Sequence, residues 1–202
     1  MPSPASERVP FVGLTGGLGA GKSTALSAFA ELGAATFSTD AAVHALLGGD
    51  ELCEQIVARL GPGVVSGGAI DRTALAAQVF SSPADRRWLE SVLWPRVGRE
   101  VAAWREQVEA QEDRPPAAVV EVPLLFEAGM EEGFDKTIAV VADEVVRAER
   151  AASRGHAAVD ERAGRQLTQE EKSQRADFTV RNDGTPEELR ALLSAVLATM
   201  AS

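Results

Sequence analysis

Gly16-Gly17-Leu18-Gly19-Ala20-Gly21-Lys22-Ser23 is the stretch that decides the architecture of this chain. It satisfies G-x-x-x-x-G-K-[ST], the phosphate-binding loop. The spacing has a mechanical cause. Glycines let the backbone turn sharply and point successive N–H groups at a phosphate chain. Lys22 adds a mobile point charge for the phosphates, and Ser23 offers a hydroxyl to Mg²⁺. The helix that follows aims the positive end of its dipole at the same anion.

The flanks agree with the loop. Val9-Pro-Phe-Val-Gly-Leu14 is a short apolar run that reads as a buried strand. After the loop, Leu26, Phe29 and Leu32 recur at helical spacing, and Gly33 is a stop signal. Further out, Ala34–Ser38, Ala117–Val122, Lys136–Val141 and Asp177–Arg181 read as strands. Helices are expected over Ala41–Leu47, Glu51–Leu60 and Asp71–Phe80, and from Ser82-Pro83 to Trp94-Pro95. Pro95 opens another helix to about Gln111; Asp143–Ser153 and Val159–Glu171 follow. Gly61–Gly68 reads as a loop or small hairpin, and Thr185-Pro-Glu-Glu188 as a capping box that starts a final helix to about Met200. Strands alternating with helices predict an α/β fold: a five-stranded parallel sheet with helices on both faces.

At 202 residues the chain is long enough for one such domain with small insertions. Apolar residues make up 45% and charged residues 25%, an ordinary globular balance. The formal net charge is −10, so the overall field does not attract nucleic acid, and a bound anion needs a local cationic pocket. One cysteine, Cys53, excludes a disulfide within the chain. Residues 1–8 read as a disordered tail without the apolar stretch of a signal peptide, and no apolar run approaches the roughly 20 residues that span a bilayer. The expectation is a soluble cytoplasmic protein, a monomer or weak homo-oligomer, with no nucleic-acid or membrane partner.

Asp40 falls just past the second strand, at the sheet edge where ligands bind. A carboxylate there can accept a hydroxyl proton or help hold Mg²⁺; it can also cap the helix from Ala41. Arg147, Arg150 and Arg154 share one helical face, and Arg162 and Arg165 follow. They suit the charge on a transferring phosphoryl group, and equally a solvated face paired with Glu144, Glu149 and Glu161. His44 and His156 lack partners at metal-ligand spacing. Trp88, Trp94 and Trp104 read as core or helix-packing residues before pocket residues.

Several segments together resemble one family. They are Leu14–Thr24, Asp40, Ile70-Asp71-Arg72-Thr-Ala-Leu75, Val122-Pro-Leu-Leu-Phe-Glu127, the Arg150/Arg154 pair, Arg162-Ala-Gly-Arg-Gln166, Lys172, Ala176-Asp177 and Asn182. From about Phe11 to Glu188 the chain resembles the dephospho-CoA kinases, P-loop kinases that phosphorylate a ribose 3′-hydroxyl. The resemblance implies a P-loop kinase core (9–40 and 117–202), an acceptor-side helical subdomain (about 50–111) and a lid (about 143–171). It implies Mg²⁺, with ATP and dephospho-CoA as substrates.

By the same resemblance, Asp40, Lys22, Arg150 and Arg154 are catalytic. Gly17, Leu18, Gly19, Ala20, Gly21, Lys22, Ser23, Thr24, Arg150 and Asn182 bind ATP. Asp40, Arg72, Leu124, Leu125 and Glu127 face the acceptor, and Ser23 holds Mg²⁺. Two positions depart from the family pattern: Ser38 stands where Asp is usual, and Trp94 where His is usual. A nucleoside monophosphate kinase shares this architecture and is the nearest alternative. A GTP-dependent switch needs Asn-Lys-x-Asp and Asp-x-x-Gly, and both are absent.

Overall fold

The structure, a computed structural model, describes residues 8–153 and 166–200. The expected tail therefore lies outside the described residues except for Arg8, and so do Arg154, Arg162, Arg165 and most of the helix expected over 159–171. The chain divides into two compact units, one holding the residues up to Ser38 and from Arg105 onward, the other Thr39–Trp104.

The first unit is built on a parallel sheet. Its strands are β1 (Phe11–Gly16), β2 (Ala35–Ser38), β5 (Ala118–Glu121), β6 (Lys136–Val141) and β7 (Phe178–Arg181), in the order β2-β5-β1-β6-β7. β1 is central and buried along its whole length, as a strand covered on both faces must be. Its register sets Phe11 against Ala118 and Leu14 against Ile138. Helices α1 (Lys22–Glu31) and α8 (Pro186–Met200) pack together, and Phe29, Leu189 and Leu193 close the core over Val12, Leu14 and Val140. Each such side chain contributes about 1.5–3 kcal/mol when fully buried. The expected capping box holds α8: Thr185 N–H donates to Glu188 Oε2 at 2.8 Å, and Glu188 N–H to Thr185 Oγ1 at 3.2 Å.

Because the strands are parallel, the segments after β1, β2, β5, β6 and β7 all leave one edge of the sheet. The phosphate loop, the Pro123–Glu127 segment, the start of α6 (Glu144–Ser153) and Asn182 are thereby gathered there.

The second unit holds α2 (Thr39–Leu46), α3 (Asp50–Leu60), the hairpin β3 (Val65–Ser66) and β4 (Ala69–Ile70), α4 (Arg72–Ser81) and most of α5 (Pro83–Glu109). Leu52, Ile56 and Leu60, at i, i+4 and i+8 on α3, meet Leu75, Leu89 and Leu93 in its core. Asp71 caps α4 through Thr73 N–H at 2.9 Å and Ala74 N–H at 3.1 Å.

Three expectations are corrected. Pro95 does not start a new helix; α5 runs unbroken from Pro83 to Glu109. A proline removes one N–H and crowds the carbonyl four residues back, and burial of Leu89, Leu93 and Val97 on either side outweighs that local cost. Arg96 Nη1 also donates to the Val92 carbonyl, 2.9 Å, in the turn that Pro95 disturbs. Asp40 is not the cap of a helix from Ala41: α2 begins at Thr39 and Asp40 lies in its first turn. The helix expected over 159–171 does not run on into Glu171: residues 166–168 are not helical and a separate helix, α7 (Gln169–Arg175), begins after them, while 159–165 lie outside the described residues. Thr168 and Glu171 form a reciprocal capping box there, and Glu171 is held below the usual carboxylate range by the Thr168 N–H and hydroxyl.

Candidate active site

The phosphate loop joins β1 to α1, and two of its glycines have backbone that side chains resist. Gly19 has φ +74 and Gly21, the N-cap of α1, φ +92. Both also meet neighbours closely. A Cβ on Gly19 would lie 2.5 Å from the Arg147 carbonyl oxygen, and one on Gly21 would collide with the Asn182 amide. Lys22 Nζ donates to the carbonyls of Gly16 and Gly17, each 3.1 Å, so its charge is held over the loop. Ser23 and Thr24 follow in the exposed first turn of α1.

Three side chains from distant elements reach this loop or its neighbour. Arg147, in the first turn of α6, donates from Nε to the Leu18 carbonyl at 2.9 Å. Asn182, just past β7 and buried, donates from Nδ2 to the Ala20 carbonyl at 2.8 Å. Arg150 Nη1 donates to the Asn182 carbonyl at 2.8 Å. The described part of the arginine face is thus turned to the loop and not solvated as a whole. Asp183, beside it, is held below the usual carboxylate range chiefly by the Asp143 N–H, which burial opposes and Arg181 and Arg150 reinforce.

A second network lies at the same sheet edge. Lys172 has no exposed surface; its ammonium touches Glu127 Oε1 at 2.9 Å, the Pro123 carbonyl at 2.8 Å and Thr15 Oγ1 at 3.3 Å. Burial pushes its pKa down, and the hydrogen bond and charge of Glu127 work against that fall. Glu127 Oε1 also accepts the Leu167 N–H at 2.8 Å, while Oε2 is buried without a protein partner. Leu124 is half-buried, and Leu125 is fully buried beside Gly13. Ser38 faces Glu121 across the β2–β5 register, and its hydroxyl donates to Oε2 at 3.2 Å, so at this position serine satisfies a buried carboxylate that an aspartate would repel.

In the second unit, Asp40 and His44 sit at i and i+4 on α2, on one face, both exposed. His44 Nδ1 lies 2.6 Å from Arg72 Nη1 and must accept, because a guanidinium has only donors. Trp88 packs on the core, whereas Trp94 is 49% exposed and does not follow the packing expectation.

Among the described residues, the structure therefore brings Gly17 to Thr24 together with Arg150 and Asn182, and places Leu124, Leu125 and Glu127 at the same sheet edge. Asp40 and Arg72 share the other unit, where His44 links α2 to Arg72. The residue reading missed the contacts of Arg147, Lys172 and His44. Arg147 is marked in the sequence by the helical face it shares with Arg150 and Arg154; Lys172 and His44 carry no local signal for partners so far along the chain.

Residues 10–188 match the family model described as dephospho-CoA kinase. The dephospho-CoA kinase of Deinococcus radiodurans is 38% identical over 200 residues, 97% of this chain and 95% of that protein. The crystal structure of TT1252 from Thermus thermophilus aligns with a TM-score of 0.78 at 35% identity, covering 96% of this chain and 99% of that one. The dephospho-CoA kinase from Campylobacter jejuni aligns with a TM-score of 0.67 at 25% identity, covering 94% and 96%.

Proposed function

The chain belongs to the dephospho-CoA kinase family and is an ATP-dependent kinase of that kind, and we propose that its residues divide the reaction as follows. The ribose 3′-hydroxyl of dephospho-CoA attacks the γ-phosphorus of ATP in line. A bond forms from that oxygen to phosphorus, the bond to the bridging oxygen breaks with its electron pair, and ADP leaves. Asp40 orients the hydroxyl and takes its proton.

The loop N–H groups and Lys22 hold the phosphates, and Arg150 and Arg154 stabilise the charge on the transferring group. Arg72, Leu124 and Glu127 contact the acceptor, and Leu125 supports that segment from the core. The residues up to Asp40 and from 117 form the kinase core, those of about 50–111 the acceptor side, and those of about 143–171 a lid that excludes water.

The donor set suits Mg²⁺. The Ser23 side chain presents a hard hydroxyl oxygen in the exposed first turn of α1. Among the described residues no cluster of three acidic, histidine or cysteine side chains could hold a metal. Ser23 would hold the ion together with phosphate oxygens and water, and the ion would supply neutralisation of the charge that develops on the phosphates. No described helix is long and apolar enough to cross a membrane. We place the enzyme in the cytoplasm, as a monomer or weak homo-oligomer without nucleic-acid partners.

The observation that carries this reading is the convergence of Arg147 and Asn182, the latter bonded in turn by Arg150, on a phosphate loop held in its glycine-only conformation. The test is ADP release from MgATP with and without dephospho-CoA, the product being weighed by mass spectrometry. Acceptor-dependent ADP with a product one phosphoryl group heavier is expected. ATP binding without such a product would overturn the acceptor assignment.

A further inference from the structure

We infer that Arg147 is a positioning residue for nucleotide binding: by holding the Leu18 carbonyl from behind, it turns the Gly19 N–H toward the phosphates. The inference rests on the reading of this loop as the ATP site and assigns it a residue outside the loop.

In a trans peptide the C=O of one residue and the N–H of the next point in opposite directions. A phosphate loop works only if its N–H groups face inward, so its carbonyls must face outward and need donors there. Arg147 Nε supplies one to Leu18, at 2.9 Å, which sets the Leu18–Gly19 plane and hence the Gly19 N–H. Asn182 does the same for the Ala20–Gly21 plane, at 2.8 Å. Without these donors each peptide is free to flip and present its carbonyl dipole, wrong end first, to an anion.

Arg147 holds the loop with more than one bond. Its guanidinium lies close enough to Gly17 that a Cβ there would be 3.2 Å from Nη2 and 3.4 Å from Cζ. Its own backbone carbonyl occupies the space a Cβ on Gly19 would need. Loop and helix α6 are therefore in contact through backbone as well as side chain. Arg147 itself is set by its place in the first turn of α6, where its N–H donates to the Asp143 carbonyl at 2.9 Å.

A general attraction between a cation and phosphate would need only the charge. Positioning needs a donor at the place of Nε. Glutamine separates the two, since its amide nitrogen stands the same number of bonds from Cα as arginine Nε but carries no charge. The test compares wild type with Arg147→Met and Arg147→Gln. MgATP affinity is measured by calorimetry without acceptor, and kcat and both KM values in the coupled assay.

Arg147→Met is expected to weaken MgATP about tenfold, the scale of one charge-assisted hydrogen bond. KM for ATP should rise in step, while kcat and KM for dephospho-CoA stay within about twofold, as for a loss of uniform binding. Arg147→Gln is expected to restore affinity to within about threefold of wild type. Arg147→Ala supplies the donorless comparison should the methionine variant fail to fold.

A glutamine variant as weak as the methionine one would overturn the inference in favour of charge alone. So would a methionine variant that binds like wild type, or one that loses affinity for both substrates alike. A wild-type chain that binds MgATP but phosphorylates no acceptor would overturn the acceptor assignment and leave this inference standing. A wild-type chain that does not bind MgATP would overturn both.

Discussion

Replacing Lys172 by methionine should destabilise the fold at this sheet edge, and the contacts of its ammonium set by how much. Lys172 has no exposed surface, and its ammonium has three acceptors. Two of them keep a partner without it. Thr15 Oγ1 still donates to the Pro123 carbonyl at 3.3 Å, so neither is stranded. Glu127 is the difference. Its Oε1 would retain only the Leu167 N–H, its Oε2 has no protein partner, and its side chain is 12% exposed.

The cost is thus that of a mostly buried carboxylate losing its counter-ion, about 3–5 kcal/mol. For a chain of this length that corresponds to a fall in Tm of roughly 6–20 °C. Adding Glu127→Gln removes the charge, keeps an acceptor for Leu167, and should recover at least about half of the loss. Urea unfolding followed by far-UV circular dichroism gives both numbers, provided the m-values agree. A loss below about 1 kcal/mol for Lys172→Met, or a double variant no more stable than the single one, would refute the reasoning.

Four further outcomes are expected. Asp40→Asn should leave MgATP affinity nearly intact and lower kcat by about 10²–10⁴; turnover within about twofold of wild type would remove Asp40 from the mechanism. Gly19→Ala meets both φ +74 and the Arg147 carbonyl, and calorimetry should find MgATP affinity lower by at least about tenfold; unchanged affinity would mean the loop binds in another conformation. Asp71→Ala should cost about 1 kcal/mol in urea, the worth of the α4 cap, without changing MgATP affinity. The last concerns acid. Burial opposes ionisation of Asp177, but hydrogen bonds from the Thr137 hydroxyl and N–H and from Lys136 outweigh it, and its pKa is lowered. A lowered carboxylate pKa contributes stability that is present above the unfolded value of about 4 and lost as pH falls through the folded one. Asp177→Asn should therefore flatten the acid limb of a stability–pH curve below about pH 4; an unchanged limb would contradict this.

The phosphate loop was legible because its chemistry is contiguous: one strand end, one turn and one helix start, within a dozen residues. The alternation of apolar runs with helical periods foretold a five-stranded parallel sheet for the same reason. The capping boxes show both sides of local reading. Thr185–Glu188 was read from the sequence, whereas the same signal in Thr168–Glu171 was overlooked beneath a helix expected to run through it. Pro95 misled because a local rule about helix ends gave way to burial of Leu89, Leu93 and Val97 along one continuous helix.

What the residues in order determined is the loop, the strands, and so the kind of ligand this protein takes. All of these follow from backbone rules acting over a few residues. Tertiary structure alone decided which side chains meet that loop and the sheet edge beside it. Arg147 reaches Leu18 across 129 residues, Asn182 reaches Ala20 across 162, and Lys172 reaches Thr15 across 157. No local periodicity encodes a pairing at such distances. It exists because parallel strands deliver the segments that follow them to one edge, where buried carbonyls and carboxylates must find donors.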